Sequence, residues 1–346
     1  MQEISKYEIT GLHGLSVLAM IALHLFCRLE YTYDPAVYLF GIPLCYYIGQ
    51  FGDFCVMSFA FCSAYGHCVI LKKSSKNFYR GRIKSILRLL ITFWTVLIVF
   101  SMISIIVGNA DSMPGSIEKF MGNFFLYRLS YNGAWWYIVT YIFLVLTSKP
   151  VIKFVYRFNA IPIVGLLLLI YTIAYYFRFR NPEPFNNAIL DGCVRQLYLY
   201  GMTVAEYCIG VIFYKYNIFK KADCFFHHHK RRSFALICVA LLISVLGRTL
   251  LIRSLYVAPF TGIIVIICFH LILKENSLLH FIGTHSTNMW LTHMFFYNVL
   301  FVNLIFCLKY PVLIFVGMVF LTIIVSIILQ QIQNPLNRAI DKWIKI

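Results

Sequence analysis

Long apolar blocks separated by short polar or basic stretches repeat along the chain from one end to the other. A helix needs about 20 mostly apolar residues to cross a hydrocarbon layer about 30 Å thick. On that measure the pattern predicts about ten transmembrane helices. The first three cover residues 9–29, 44–71 and 85–107. Residues 117–132 fall short of a full span and hold Glu118, Lys119 and Arg128, so an interfacial or re-entrant segment is predicted there. Trp135, Trp136 and Tyr137 open the fourth span as aromatic residues do at a membrane boundary, and Lys149 and Lys153 close it. The remaining spans are predicted at 161–177, 196–214, 233–252, 256–273, 284–308 and 311–332. No internal repeat and no long polar region interrupts the series. The expected fold is an all-α, polytopic membrane helix bundle forming one domain over residues 1–346, with both termini cytoplasmic.

Composition agrees with this reading. The 346 residues are 61% hydrophobic and 12% charged, about half the charged share of an ordinary soluble domain, and mean hydropathy is +0.78. The net charge of +17 would suit nucleic acid, but the positions of the cations argue against it. Seven Lys and Arg lie between Lys72 and Arg88 and six between Lys215 and Arg232, in segments that the alternation of spans puts on one side. In polytopic proteins that side is the cytoplasm. The implied partners are membrane lipids, through anionic headgroups, or an anionic cytoplasmic substrate, and no nucleic acid. The 11 Cys form no CxxC pair and read as small buried hydrophobes. Asp223, Cys224 and His227 to His229 adjoin Lys230, Arg231 and Arg232, and nearby cations oppose metal binding, so they read as a solvated basic loop and no metal site is expected.

Candidate chemistry is concentrated in polar residues inside apolar runs, which are costly in hydrocarbon and so usually face the bundle interior. The stretch TGLHGLSVLAMIALHLF places His13 and His24 11 residues apart, about three helical turns and about 16 Å of rise, on one face. With Thr10 at the cytoplasmic surface, His13 would lie about one turn inside and His24 past the middle of the layer. His285, Met289 and His293 form a second one-faced stripe. Asp53, Glu206 and Arg248 are embedded charges needing partners, Ser63 and Ser286 are embedded hydroxyls, and Gly201, Ala205 and Gly210 allow close helix approach. The histidines fit two uses. A neutral imidazole accepts a proton as a general base, and a polar network between helices uses the same residues structurally.

Five segments together resemble the acyltransferase-3 family of integral-membrane O-acyltransferases. The first helix is similar to the family pattern of Arg or Lys, ten residues, then His, ending here at His24. FAFCSAYG at Phe59 to Gly66 resembles its Phe-rich Ser-Gly-Tyr segment, and FYRGRIKSILR its basic loop. NGAWWYIVTYIFL resembles its Trp-Trp-Tyr/Phe helix, and IGTHSTNMWLTH its late helix ending in His. The resemblance implies about ten helices. It also implies transfer of an acyl group, commonly acetyl from acetyl-CoA as co-substrate, onto a hydroxyl of a carbohydrate, lipid-linked glycan or cell-envelope glycan at the cell membrane. By it, His24 is the general base, Arg82 and Arg88 face the phosphates of the acyl-CoA, and Ser63, Trp136, Ser286 and His293 line the site. His13 stands where the family has a fixed cation, making that position titratable, and Ala64 stands where it has Gly. The alternatives are a transporter or flippase of a lipid-linked or acylated glycan, and a non-catalytic relative of the family.

Overall fold

Backbone amides in hydrocarbon find no water, so a spanning chain must satisfy them internally as helix. The computed structural model describes residues 4–27, 33–228, 230–250 and 255–344, and the chain is all-α, 82% helical. The helices are α1 (Lys6–Phe26), α2 (Leu44–Phe51), α3 (Cys55–Lys73), α4 (Phe78–Ile106), α5 (Ile117–Phe124), α6 (Trp136–Arg157) and α7 (Ala160–Phe179). They continue as α8 (Ala188–Lys215), α9 (Ile218–His228), α10 (Lys230–Leu250), α11 (Ala258–Cys268), α12 (Ser277–Met294), α13 (Val302–Phe306) and α14 (Pro311–Trp343). A two-residue hairpin, Tyr38–Leu39 with Ile42–Pro43, precedes α2.

A helix stands at each of the ten predicted spans, but seven helical stretches are long and apolar enough to cross a membrane among the described residues. Two further apolar stretches, Phe234–Gly247 and Ala258–Leu273, are shorter. The 18-residue α12 is not among the seven, since it spends positions on His280, His285, Asn288 and His293. Two boundaries differ instructively. The basic FYRGRIKSILR is the start of α4, not a loop, because it holds no Pro and its single Gly81 is outweighed by the helix-favouring residues around it. The predicted ninth span ends as α-helix at Met294, where a π-helical stretch, Phe295–Val299, takes over. The side chains of His229, Arg248 and Lys345 lie outside the described residues.

The described chain sorts into two compact units, and α1 runs unbroken through the boundary between Ser16 and Val17. The first unit is built on α3, α7 and α8. Its core combines Ala60, Ala64, Tyr171, Ala174, Ala205, Tyr207 and Val211. The small residues of α8 do what their spacing predicts, for a Cβ on Gly210 would meet the Phe61 carbonyl oxygen at 2.7 Å and the Ala64 Cβ at 2.8 Å. At the end of α8, Lys215 Nζ donates to the carbonyls of Val155, Tyr156 and Phe158 at 3.0, 3.4 and 2.6 Å. A cation there satisfies the last carbonyls of α6 and opposes the negative end of its dipole.

The second unit joins the later part of α1 to α4, α5, α12 and α14. Gly52 lets the α2–α3 junction approach α1, since its Cβ would fall 2.1 Å from the Ala19 carbonyl oxygen. Asn288 and Gln333 exchange two amide hydrogen bonds of 2.9 and 3.0 Å between α12 and α14. In the predicted re-entrant segment, only Ile117–Phe124 is helical. The rest folds back through Asn123, whose Oδ1 accepts from Ser130 N at 3.0 Å.

The α3–α8 contact predicts opposite results for two glycines. Gly210→Ala should lower the unfolding temperature of the detergent-solubilised protein, at a cost of about 1–3 kcal/mol from overpacking against backbone. Gly66→Ala, where nothing lies within 4 Å, should leave it unchanged or raise it.

Candidate functional site

The second unit contains a chain of three groups centred on the two histidines that end the apolar stripes. His293 lies in the last turn of α12 and is 1% exposed. Its Nδ1 is 2.7 Å from the Trp290 carbonyl oxygen, an acceptor only, so Nδ1 carries the hydrogen and donates it. The other nitrogen, Nε2, lies 2.7 Å from His24 Nδ1. In the neutral ring Nε2 is the acceptor, so His24 Nδ1–H donates to it and His24 Nε2 carries the lone pair. The tautomers follow from the bonds: a backbone carbonyl sets one ring, and that ring sets the next. Tyr297 flanks both, with ring centroids 6.4 Å from His24 and 5.9 Å from His293.

Local sequence explains why α12 presents this face. The turn Gly133–Trp135 is capped by Asn132, whose Oδ1 accepts from Ala134 N at 2.9 Å. The same side chain donates through Nδ2 to the Leu291 carbonyl at 3.0 Å, and Trp135 Nε1 donates to that carbonyl at 3.0 Å. In return Trp290 Nε1 donates to the Ala134 carbonyl at 3.0 Å. Two indoles thus bond reciprocally across the start of α6 and the end of α12. Fully buried Trp135 packs edge-on against Phe93 of α4, with centroids 4.9 Å apart. Phe100 of α4 stacks on Phe295, just after His293, at 4.3 Å.

Of the residues singled out from sequence, His24 and His293 meet directly. Trp136 opens α6, but the clamp belongs to its neighbour Trp135. Ser286 Oγ turns back to the Gly283 carbonyl at 2.8 Å, within its own helix. His285, on the same stripe as His293, serves another partner, Ser326 Oγ on α14 at 3.0 Å. Arg82 is half-buried on α4. Arg88 forms an ion pair with Asp341 of α14, and Lys84 reaches the same carboxylate at 3.1 Å.

In the first unit, half-buried His13 lies beside Phe59, centroids 5.2 Å apart, and Ser63 Oγ bonds to the Phe59 carbonyl at 2.9 Å. Asp53 and Glu206 are both buried, with Arg178 and Asp53 acting electrostatically on Glu206. Glu8 is paired with His270, whose Nε2 is 3.2 Å from Asp223, and Lys274 is 3.7 Å from that same residue. Asp223, expected in a solvated basic loop, lies instead on the helix α9 and contacts His270 and Lys274. Among the described residues, no group of three or more His, Cys, Asp or Glu is arranged to hold a metal ion.

The model of the acyltransferase domain family matches residues 6–331, nearly the whole chain and both histidine helices. The chain belongs to the acyltransferase-3 family. Comparison with curated proteins and with solved structures returns no match. Family membership and the apolar helices make this a multi-pass membrane protein of an acyltransferase family. Sequence reasoning missed Trp290, Asn132 and Asp341. Trp290 stands three residues before His293, within reach of its ring on a helix, and Asn132 precedes a turn, so both carried a readable signal.

Asn132→Ala removes a cap and a second hydrogen bond at once. A loss of about 2 kcal/mol is expected from the two together, read as a lower unfolding temperature, whereas Ser286→Ala should change it little.

Proposed function

We propose that the protein is an O-acyltransferase that moves an acyl group, acetyl from acetyl-CoA, onto a hydroxyl of a carbohydrate, glycolipid or cell-envelope glycan, with His24 as the general base. The observation that carries the reading is the hydrogen-bonded order Trp290 carbonyl, His293, His24. It supports a lone pair at His24 Nε2, and a general base needs a fixed tautomer held by a second group.

In the reaction, the acceptor hydroxyl gives its proton to His24 Nε2 while its oxygen attacks the thioester carbonyl carbon. His24 becomes an imidazolium whose Nδ1–H stays bonded to His293 Nε2, a neutral acceptor that favours the charged ring. Collapse of the tetrahedral adduct breaks the carbon–sulfur bond, and the proton on His24 leaves with the thiolate as coenzyme A thiol. Exclusion of water by the packed aromatic residues disfavours hydrolysis of the thioester. Arg82 and Arg88, at the basic start of α4, would meet the phosphates of a donor arriving from the cytoplasm, as guanidinium groups do. Donor binding at Arg88 would compete with Asp341 for the same guanidinium. Membership of the family and the one-sided run of cations support this assignment. The ten-helix topology with cytoplasmic termini, in the cell membrane, belongs to the same proposal.

The test is acyl transfer by purified protein, with acetyl-CoA consumption and acylated product followed by mass spectrometry. His24→Ala should lower the rate by about 10²–10⁴-fold, the usual worth of a positioned base. His293→Phe keeps an aromatic ring but no acceptor, and should cost at least about tenfold because the His24 tautomer is released. Full activity in His24→Ala would overturn the proposal.

A further inference from the structure

An open cleft of about 200 Å³ in the first unit is lined by apolar side chains of α9, α10 and the stretch from Ala258 to Leu273. It is lined by Ala222, Phe225 and Phe226 of α9 and by Ile237, Ala240 and Cys268 from the facing elements. None of these residues belongs to the histidine site, which lies in the second unit.

Two features identify an occupant. One is the way in. Phe225 and Leu236 at the rim are 48% and 56% exposed, and exposed apolar residues continue along α10 through Val239, Leu242 and Val245. The rim is therefore continuous with a wall that faces hydrocarbon in a membrane-spanning chain. The other is charge. Lys221 precedes Phe225 by four residues on α9, and Arg232 precedes Leu236 by four on α10. Residues four apart are neighbours on a helix surface. Each exposed rim residue thus has an exposed cation one turn before it. Neither cation has a carboxylate partner among the described residues. The one acid on α9, Asp223, is turned to His270 and Lys274.

We infer that this cleft binds an anionic phospholipid, with one acyl chain between α9, α10 and α11 and its headgroup at the rim that carries the exposed cations Lys221 and Arg232. A free phosphate has no use for the apolar lining, and a zwitterionic lipid has less use for two unpaired cations. A chain seated there would also cover Phe225 and Phe226, tying the amphipathic α9 to the membrane surface.

The experiment uses the full chain in detergent, with dioleoyl phosphatidylglycerol and dioleoyl phosphatidylcholine as probes at equal concentration and retained lipid counted by native mass spectrometry. Wild-type protein should retain phosphatidylglycerol over phosphatidylcholine by about 30-fold, the order expected of two cations at an anionic surface. Lys221→Gln with Arg232→Gln, both on exposed positions, should abolish that preference while leaving the unfolding temperature without lipid unchanged. Ala240→Trp, which fills the cleft, should abolish retention of both lipids. Equal phosphatidylglycerol retention by the double variant and wild type would overturn the inference. Displacement of phosphatidylglycerol by an equal concentration of palmitoyl-CoA would do so too, assigning the cleft to a thioester.

Discussion

A polar side chain in hydrocarbon must find its hydrogen bonds within the protein, and at the candidate site that demand is met by a backbone carbonyl. The Trp290 oxygen takes the Nδ1 hydrogen of His293, which turns the far nitrogen into an acceptor, which in turn orients His24. Everything nearby holds that carbonyl in place. Trp135, Asn132 and Trp290 cross-link the start of α6 to the end of α12, and the stacked Phe100 and Phe295 close the apolar side. If α12 turned about its axis, His24 would lose the partner that fixes its tautomer. The packing of helices and the chemistry of one nitrogen are thus a single constraint.

The first unit answers the same demand differently. There the acids lie beside basic side chains: Glu206 near Arg178, Glu8 with His270, and Asp223 with His270 and Lys274. Glu8 and His270 are both buried, so removing either strands the other without its hydrogen-bond partner, which ties that pair to the folding of the unit. Lys215 at the end of α8 does similar work, filling three carbonyls that α6 leaves without helical partners.

Much of this was legible in the chain. Apolar block length gave the helices, because hydrocarbon imposes both length and composition, and the single-faced spacing of His13 and His24 picked out the residue that meets His293. Pairing was not legible. Periodicity puts His285 and His293 on one face of α12 but cannot say that one turns to Ser326 and the other to His24. Adjacent indoles are equally ambiguous, since which of Trp135 and Trp136 enters the clamp depends on where the first helical turn begins. Long-range ion pairs such as Arg88 with Asp341 join residues far apart in sequence and leave no local trace. Seven described stretches have the length and composition of a full crossing, whereas the short apolar stretches and the polar α12 meet that measure only in part.

The paired amides of Asn288 and Gln333 have a consequence for how the sequence can change over time. Each side chain gives and takes one bond with the other, so replacing either strands a donor and an acceptor where no water can reach them, while replacing both by apolar residues of similar volume leaves only Ser326 Oγ one bond poorer, still held by His285. The first step of that exchange is costly and the second restores what was lost. The two positions are therefore expected to covary among relatives, linking the evolutionary histories of α12 and α14.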